Sequence, residues 1–481
     1  MHSRTDCAES SSLRATFFKN KGVTLKILIL GAGQVGSTVA ESLVNEANDI
    51  TVVDQDAAKL ALLQERLDLQ VLTGSASHPS VLEQAGIAEA DMLLAVTQSD
   101  EVNMVACKLA ASLYNTPTRI ARIRSADYLA RPELFNKNNF CVDFSICPEQ
   151  ILTDYITKLI EFPEALQVLH FSHGKASLVA VRAFTGGPLV GKPLSFLHTH
   201  MPQIDTRVAA IFRKDGPLIP EGSTVVEDGD EIFFIAATKN IRSVLKEMRR
   251  MDKPVRRIMI AGGGNIGRRL AKALERDYQV KLIEFDKKSC ERLAGELSRT
   301  LVLNGDGTDE KLMQQEGVDD VDVFCALTND DENNIMSSLL AKQAGARKVI
   351  SLINRSAYVD LVQSGKIDIA LSPAQVTIGS LLAYVRKGDV AAVHSLRRGA
   401  AEALELVVHG DRQSSKVVGR RIDEIDLPKG ATIGAVVRGD EVIMGHHDLV
   451  IEAEDHVIVF VINKQMVKKV EKLFQVSLGF F

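Results

Sequence analysis

Short apolar runs alternate along the first 150 positions with segments whose apolar residues recur every three or four places. "KILIL" (26–30) reads as a strand buried on both faces, and 34–46 as a helix. "DITVVD", a helix over 57–67, "LQVLTG", "DMLLAVT" and "TRIARI" continue the rhythm. Ser77 is the expected N-cap of the helix after the third strand. Strands separated by helices of this length predict a parallel sheet with helices on both faces. Residues 148–161, "PEQILTDYITKLIE", place Ile151, Leu152, Tyr155, Ile156, Leu159 and Ile160 on one stripe. That stripe either packs on its own sheet or links neighbouring units of an assembly. Beyond about 167 the period changes. Short alternating strands separated by turns such as "KDGP" and "EDGDE" predict a smaller α+β module, followed by the charged link "KEMRRMDKPVRR".

The pattern then repeats. Gly31 matches Gly262 at an offset of 231 (262 − 31), and the offset holds for Gly74 and Gly305, Thr97 and Thr328, and Arg124 and Arg355. "ADMLLAVTQSDEVN" matches "VDVFCALTNDDENN", Thr308 stands for Ser77, and "EGSTVVEDGDEIFFIAA" echoes "HHDLVIEAEDHVIVFVI". Duplication over most of a chain is the first-order fact about its architecture. The expected fold class is α/β: two tandem Rossmann-like doubly wound parallel sheets, each followed by a small α+β module. The expected boundaries are 25–150, 151–250, 255–375 and 376–481, with crossover helices opening the second and fourth segments. Residues 1–24 lack periodicity and read as a disordered extension or an upstream start.

Composition narrows the function. With 481 residues, three or four domains are expected, and a net charge of −5 argues against general nucleic-acid binding. The longest apolar runs, such as "VIVFVI" (457–462), are strand-sized, so a membrane span is not expected. The six cysteines, Cys7, Cys107, Cys141, Cys147, Cys290 and Cys325, include no C-x-x-C pair, which suits reduced thiols in a cytosolic protein.

The candidate chemistry sits on two G-x-G-x-x-G turns. Gly31 permits the tight turn after the strand, Gly33 lets backbone approach a pyrophosphate, and Gly36 lets helix and sheet pack. The helix start then offers N–H groups and a positive dipole end to phosphate. Asp54 ends the second strand, where a carboxylate takes ribose hydroxyls and repels a 2′-phosphate, favouring NAD(H) over NADP(H); Glu284 occupies that place in copy two. Thr97-Gln98 and Thr328-Asn329 follow the fourth strands, at the edge where strand order reverses. Their side chains either contact ribose or phosphate, or belong to a turn with Asp100 and Asp331 as helix caps. Arg122 ends the fifth strand and is placed to neutralise phosphate; copy two has Ile353 there. Arg124 and Arg355 suit a ligand or a structural salt bridge equally. No acid–base group is repeated, so no catalytic residue is assigned; an NAD-dependent oxidoreductase with duplicated cofactor domains is the alternative. His446, His447 and His456 correspond to Glu221, Gly222 and Glu231 of copy one, so no metal site is expected.

These features, "GAGQVG", "VVDQD", the "TG" turn, "AVTQSDEVN" and a small α+β module, resemble the RCK/KTN regulators of potassium transport. Two in tandem resemble the peripheral nucleotide-binding subunits of the bacterial Trk potassium uptake system. The resemblance implies a homo-oligomeric ring, expected to be a tetramer, on the cytoplasmic face of the cell membrane. Its partner would be an integral-membrane potassium transporter subunit of the Trk type. The ligands implied are NAD(H), with ATP or ADP competing. They would be held by Gly31, Ala32, Gly33, Gln34, Val35, Asp54, Thr97, Gln98 and Arg122, and by Gly262, Gly263, Gly264, Asn265, Ile266, Glu284, Thr328 and Asn329. Ile353 makes the two sites unequal.

Overall fold

The computed structural model describes residues 25–44, 48–202, 204–214, 216–248, 253–355, 358, 362, 366–386, 390–396 and 400–476. The expected extension at 1–24 lies outside them. The first sheet is built from β1 (Lys26–Leu30), β2 (Asp49–Asp54), β3 (Gln70–Thr73), β4 (Met92–Ala95), β5 (Thr118–Arg122) and β6 (Phe144–Ile146). All pairings are parallel, in the order β3-β2-β1-β4-β5-β6. Helices α1 (Gln34–Val44), α2 (Ala57–Arg66), α3 (Pro79–Gln84) and α4 (Asp100–Tyr114) connect the strands. They explain the continuous apolar runs: every residue of β4 is buried, as a strand covered on both faces must be. The order reverses between β1 and β4, and their carboxyl ends diverge there.

The helix α5 (Pro148–Glu161) follows, with Leu152, Ile156, Leu159 and Ile160 fully buried, so the stripe packs inside the chain. The first small module is antiparallel, in the order β10-β9-β11-β8-β7. Its strands are β7 (Gln167–Phe171), β8 (Ala176–Arg182), β9 (Thr206–Arg213), β10 (Gly216–Leu218) and β11 (Glu231–Ala237), closed by α6 (Thr238–Met248).

Copy two repeats both parts. Its parallel sheet, β14-β13-β12-β15-β16-β17, uses β12 (Arg257–Ala261), β13 (Gln279–Glu284), β14 (Leu301–Asn304), β15 (Val323–Ala326), β16 (Lys348–Leu352) and β17 (Ile369–Leu371). The helices are α7 (Asn265–Leu274), α8 (Lys287–Glu296), α9 (Glu310–Gln315), α10 (Asp331–Gln343) and α11 (Pro373–Val385). The second module, β18-β19-β22-β20-β21, contains β18 (Val390–Leu396), β19 (Ala401–Val407), β20 (Ala431–Arg438), β21 (Glu441–Met444) and β22 (His456–Val461), then α12 (Val467–Phe474). The expected α/β architecture of tandem Rossmann-like sheets with small modules is therefore present.

The chain divides into two compact units, Met1–Leu152 with Ser372–Ile378, and Thr153–Leu371 with Gly379–Phe481. In the second unit the two small sheets share one core. Phe171, Phe212 and Phe233 of the first module join Ala435, Ile458 and Phe460 of the second. Glu405 crosses between them, accepting the Ser172 amide at 2.9 Å and its hydroxyl at 3.0 Å. Both modules brace the turn before their last strand identically. Buried Asp230 takes two bonds from Arg213 at 2.9 Å, and buried Asp455 two from Arg438 at 2.8 Å. The acids of "EDGDE" are thus turn-forming groups.

Two expected helix starts move by one residue. His78 precedes α3 without a side-chain cap, while Ser77 lies 3.3 Å from Ser75 across a hydroxyl pair. In copy two Asp309 caps α9, because the Thr308 hydroxyl donates to Asp306 instead.

Candidate functional site

The glycine turns have the geometry their sequence requires. Gly31 and Gly262 adopt φ of 109° and 105°, which disfavours side chains, and their amides close the turn onto Val53 and Ile283 carbonyls at 2.7 and 2.9 Å. A Cβ on Gly36 would stand 1.9 Å from the Gly31 carbonyl oxygen, and one on Gly267 as close to that of Gly262. These two glycines serve helix–strand contact. Gly33 and Gly264 differ: a Cβ there would meet no atom within 4 Å. The backbone at the start of α1 and α7 therefore faces open space. Gly264 begins α7 with no side-chain cap, leaving first-turn N–H groups and the positive dipole end to be met from outside the helix. Val35 is buried and Ile266 half-buried, so they offer backbone rather than side chain; Gln34 and Asn265 are exposed.

Asp54 and Glu284 stand opposite these turns. Asp54 accepts the Ala32 amide at 2.6 Å and the Asp56 amide at 2.9 Å, one on each oxygen. Glu284 does the same with Gly263 at 2.7 Å and Asp286 at 2.9 Å. Each carboxylate thus fixes the turn, and each oxygen keeps a lone pair for a hydroxyl. The copies are not interchangeable here. A Cβ on Gly263, where copy one has Ala32, would meet Leu293 Cδ1 at 2.4 Å. Beside Glu284 the Phe285 ring is 78% exposed, where copy one has Gln55. Asn304 Nδ2 holds that backbone through the Phe285 and Glu284 carbonyls at 2.9 and 3.1 Å.

The turn after β4 touches the glycine turn: a Cβ on Gly31 would lie 3.0 Å from the Val96 carbonyl oxygen. Its shape is set by a residue that sequence reasoning missed. Asn103 is completely buried, accepts the Thr97 amide at 3.0 Å and hydroxyl at 2.7 Å, and donates to the Thr97 and Arg122 carbonyls. Asn334 repeats all four bonds with Thr328 and Leu352. Both asparagines end the quoted repeat "TQSDEVN" and "TNDDENN", which was the available signal. The Thr97 and Thr328 hydroxyls are engaged in this network, whereas Gln98 and Asn329 are exposed.

The caps also differ from expectation. Ser99 and Asp330 cap α4 and α10, receiving Val102 and Asn333 amides. Asp100 and Asp331, one residue later, are buried and instead tie down the turn after the fifth strand, taking the amides of Arg124 and Ser125, and of Asn354 and Arg355. Arg122 pairs with Glu149 at 2.7 Å, so its charge is balanced within the chain. In copy two Leu352, not Ile353 as the sequence offset suggested, takes the place of Arg122. The offset shortens by one before the fifth strand, and the Leu352 carbonyl accepts a bond from Asn334 as that of Arg122 does from Asn103. Ala374 stands for Glu149, so both charges are replaced by buried apolar residues. Arg124 lies 3.6 Å from Asp100, and Arg355 pairs with Glu332 at 2.8 Å on the surface. The five described cysteines are buried and free; burial pushes the Cys325 thiol up to about 12.

Descriptions of the TrkA-N domain match residues 27–142 and 258–373, and those of the TrkA-C domain match 178–249 and 412–475. The chain is 59% identical over 457 residues to the Trk system potassium uptake protein TrkA of Halomonas elongata, covering 95% of this chain and 100% of that one. It is 58% identical over 454 residues to the protein of the same description from Vibrio alginolyticus, covering 94% and 99%. Among solved structures it is similar to the GsuK RCK domain, with a TM-score of 0.61 and 18% identity over 95% of this chain and 96% of that one. The GsuK channel bound to NAD gives 0.60 and 18% over 97% and 82%. At that identity the likeness is one of fold.

Proposed function

The chain belongs to the TrkA family of Trk-system potassium uptake proteins, and from that premise we propose that it is a nucleotide-binding regulatory subunit gating a membrane potassium transporter. It makes and breaks no bond in doing so. The observation that carries this reading is the pair of open glycine turns at Gly33 and Gly264, each faced by a strand-end carboxylate. The residues present fit a dinucleotide: uncovered backbone for pyrophosphate, and free lone pairs on Asp54 and Glu284 for ribose. NAD(H) is the ligand this geometry favours, with ATP or ADP as competitors, and the NAD-bound GsuK channel has the same fold.

Among the described residues no helix is long and apolar enough to cross a membrane; in this reading the pore belongs to another polypeptide. The partner is an integral-membrane subunit of the Trk type, with this chain at its cytoplasmic face in a ring, taken as a tetramer. Residues 25–150 and 255–375 are the nucleotide-binding parts, and 151–250 and 376–481 the modules that transmit occupancy. A ligand shifts a gate only by its preference for one ring shape. Moving a mostly closed population to mostly open takes about 5 kcal/mol of differential binding, which several sites per ring share.

The test fills the cradle. Gly33→Val and Gly264→Val place side chains in open space, so both variants should keep the wild-type melting temperature. Calorimetry should find NADH and ATP affinity reduced at least tenfold at the altered copy. Unchanged affinity in both variants overturns the assignment. Phe285 makes a finer difference, since an exposed ring beside the ribose carboxylate stacks on adenine. Base–aromatic stacking is worth ~1–3 kcal/mol. Phe285→Ala should therefore weaken ATP at copy two about five- to hundredfold and leave copy one unaffected, as read from the two-site binding isotherm.

A further inference from the structure

A large cleft in copy two lies away from that copy's glycine turn. It opens at the amino-terminal edge of β12 and β13, the opposite edge of that sheet, and has a volume of about 840 Å³. That is the size of a small-molecule site. The charged link seen in the sequence runs into it at Arg256. Its lining divides into groups that are already neutralised and groups that are not. Arg257 is paired with Asp320 at 2.6 Å, and Lys281 with Glu316 at 2.8 Å. The guanidinium groups of Arg256, Arg276 and Arg299, all exposed in the cleft wall, have no carboxylate partner among the described residues. Asp277 is the one further exposed acid in the wall.

The wall is held in place from below. Glu275 is buried, and its Oε2 accepts the amides of Ser298, Arg299 and Thr300 at 3.0, 2.9 and 3.2 Å, with the Thr300 hydroxyl at 3.1 Å. Burial by itself would raise that carboxyl, but the amides and hydroxyl pull it below the usual carboxylate range. Its charge is spent on the turn carrying Arg299. That turn is joined to the one carrying Arg276 by a bond from Arg299 Nη1 to the Arg276 carbonyl. The two cations are thus presented from braced turns.

Helix ends do not demand them. Cations do favour helix carboxyl ends, and α7 and α8 both end at this edge. Copy one has the same two helix ends, yet the corresponding stretches read Val44-Asn45-Glu46-Ala47-Asn48 and Asp68-Leu69, with Leu25 in place of Arg256. The fold is built without these arginines, and only copy two has them.

We propose that this cleft is an anion site, distinct from the nucleotide turns, that takes a phosphate-bearing group through Arg256, Arg276 and Arg299. Guanidinium groups pair with phosphate oxygens in bidentate fashion, and three of them against one exposed acid outside the ion pairs, Asp277, leave the wall cationic. A free diphosphate and the phosphodiester headgroup of an anionic lipid share this chemistry.

The experiment uses the full chain and the triple variant Arg256→Ala/Arg276→Ala/Arg299→Ala. Inorganic pyrophosphate is titrated by calorimetry, and vesicles containing phosphatidylglycerol are sedimented with the protein, both at physiological salt. Wild type should bind one more pyrophosphate per chain than the variant, or sediment at least tenfold more with anionic vesicles than with neutral ones. The variant should lose whichever behaviour wild type shows. The first result identifies a soluble phosphate and the second a lipid. Arg299→Asp alone, restoring an acid found in copy one, should give the same loss. Wild type and variants that behave alike in both arms overturn the proposal. All three positions are exposed, and unchanged NADH binding by each variant shows that its fold is intact.

Discussion

Gly36→Ala should unfold the first parallel sheet and its helices several degrees below wild type and abolish nucleotide binding at that copy. The added methyl would stand 1.9 Å from the Gly31 carbonyl oxygen and 3.3 Å from Val96 Cγ2. The carbonyl cannot yield, because Gly31 is held at φ 109° with its amide bonded to Val53. Relief requires α1 to move off β1, opening the packing of Val39 and Leu43. Overpacking a well-filled site costs about 1–3 kcal/mol, and contact against fixed backbone lies at or above the top of that range. Gly267→Ala repeats the clash against Gly262 and should strike copy two alone. Thermal unfolding with two-site calorimetry reads both effects. A Gly36→Ala protein that melts as wild type and binds NADH at both copies would contradict the role assigned to this contact.

Asn103→Leu should be the most damaging substitution of similar volume near the site, with Asn334→Leu its counterpart. Leucine fills the space but leaves the Thr97 amide, the Thr97 carbonyl and the Arg122 carbonyl without their side-chain partner in a completely buried place. Each unsatisfied group costs about 1–3 kcal/mol, so a loss of ~3–5 kcal/mol from the affected half is expected. Asn103→Asp keeps the acceptor for Thr97 and loses the two donated bonds, so it should fall between. Urea unfolding gives the order wild type, aspartate, leucine. If leucine is tolerated as well as aspartate, packing rather than hydrogen bonding positions the turn after β4.

What the sequence made legible follows from how local each determinant is. The glycine turns, the strand-end carboxylates and the parallel sheets depend on residues a few positions apart, and their spacing specifies them. The caps of α4 and α10 were displaced by one residue because Ser99 and Asp100, or Asp330 and Asp331, are adjacent and chemically similar. Only the fold shows that the second acid turns inward to hold the loop after β5 or β16. Arg122 looked available because Glu149 lies 27 positions away, beyond any periodic pattern. Asn103 and Asn334 sat inside the recognised repeat, yet a polar residue three positions into a helix reads as surface. The shared core of the two small modules, joining Phe171 to Phe460, depends on contacts hundreds of positions apart that periodicity does not encode.

Central to the account is that nucleotide held at both glycine turns biases the transporter without being consumed. Potassium flux through the transporter reconstituted with this chain tests it most directly, with NAD+, NADH, ATP and ADP supplied in turn. With the wild-type chain, flux should change with at least one nucleotide, which is recovered unaltered. With Gly33→Val/Gly264→Val, the same nucleotides should have no effect. Flux indifferent to every nucleotide with the wild-type chain, or a response undiminished in the double variant, would contradict the account.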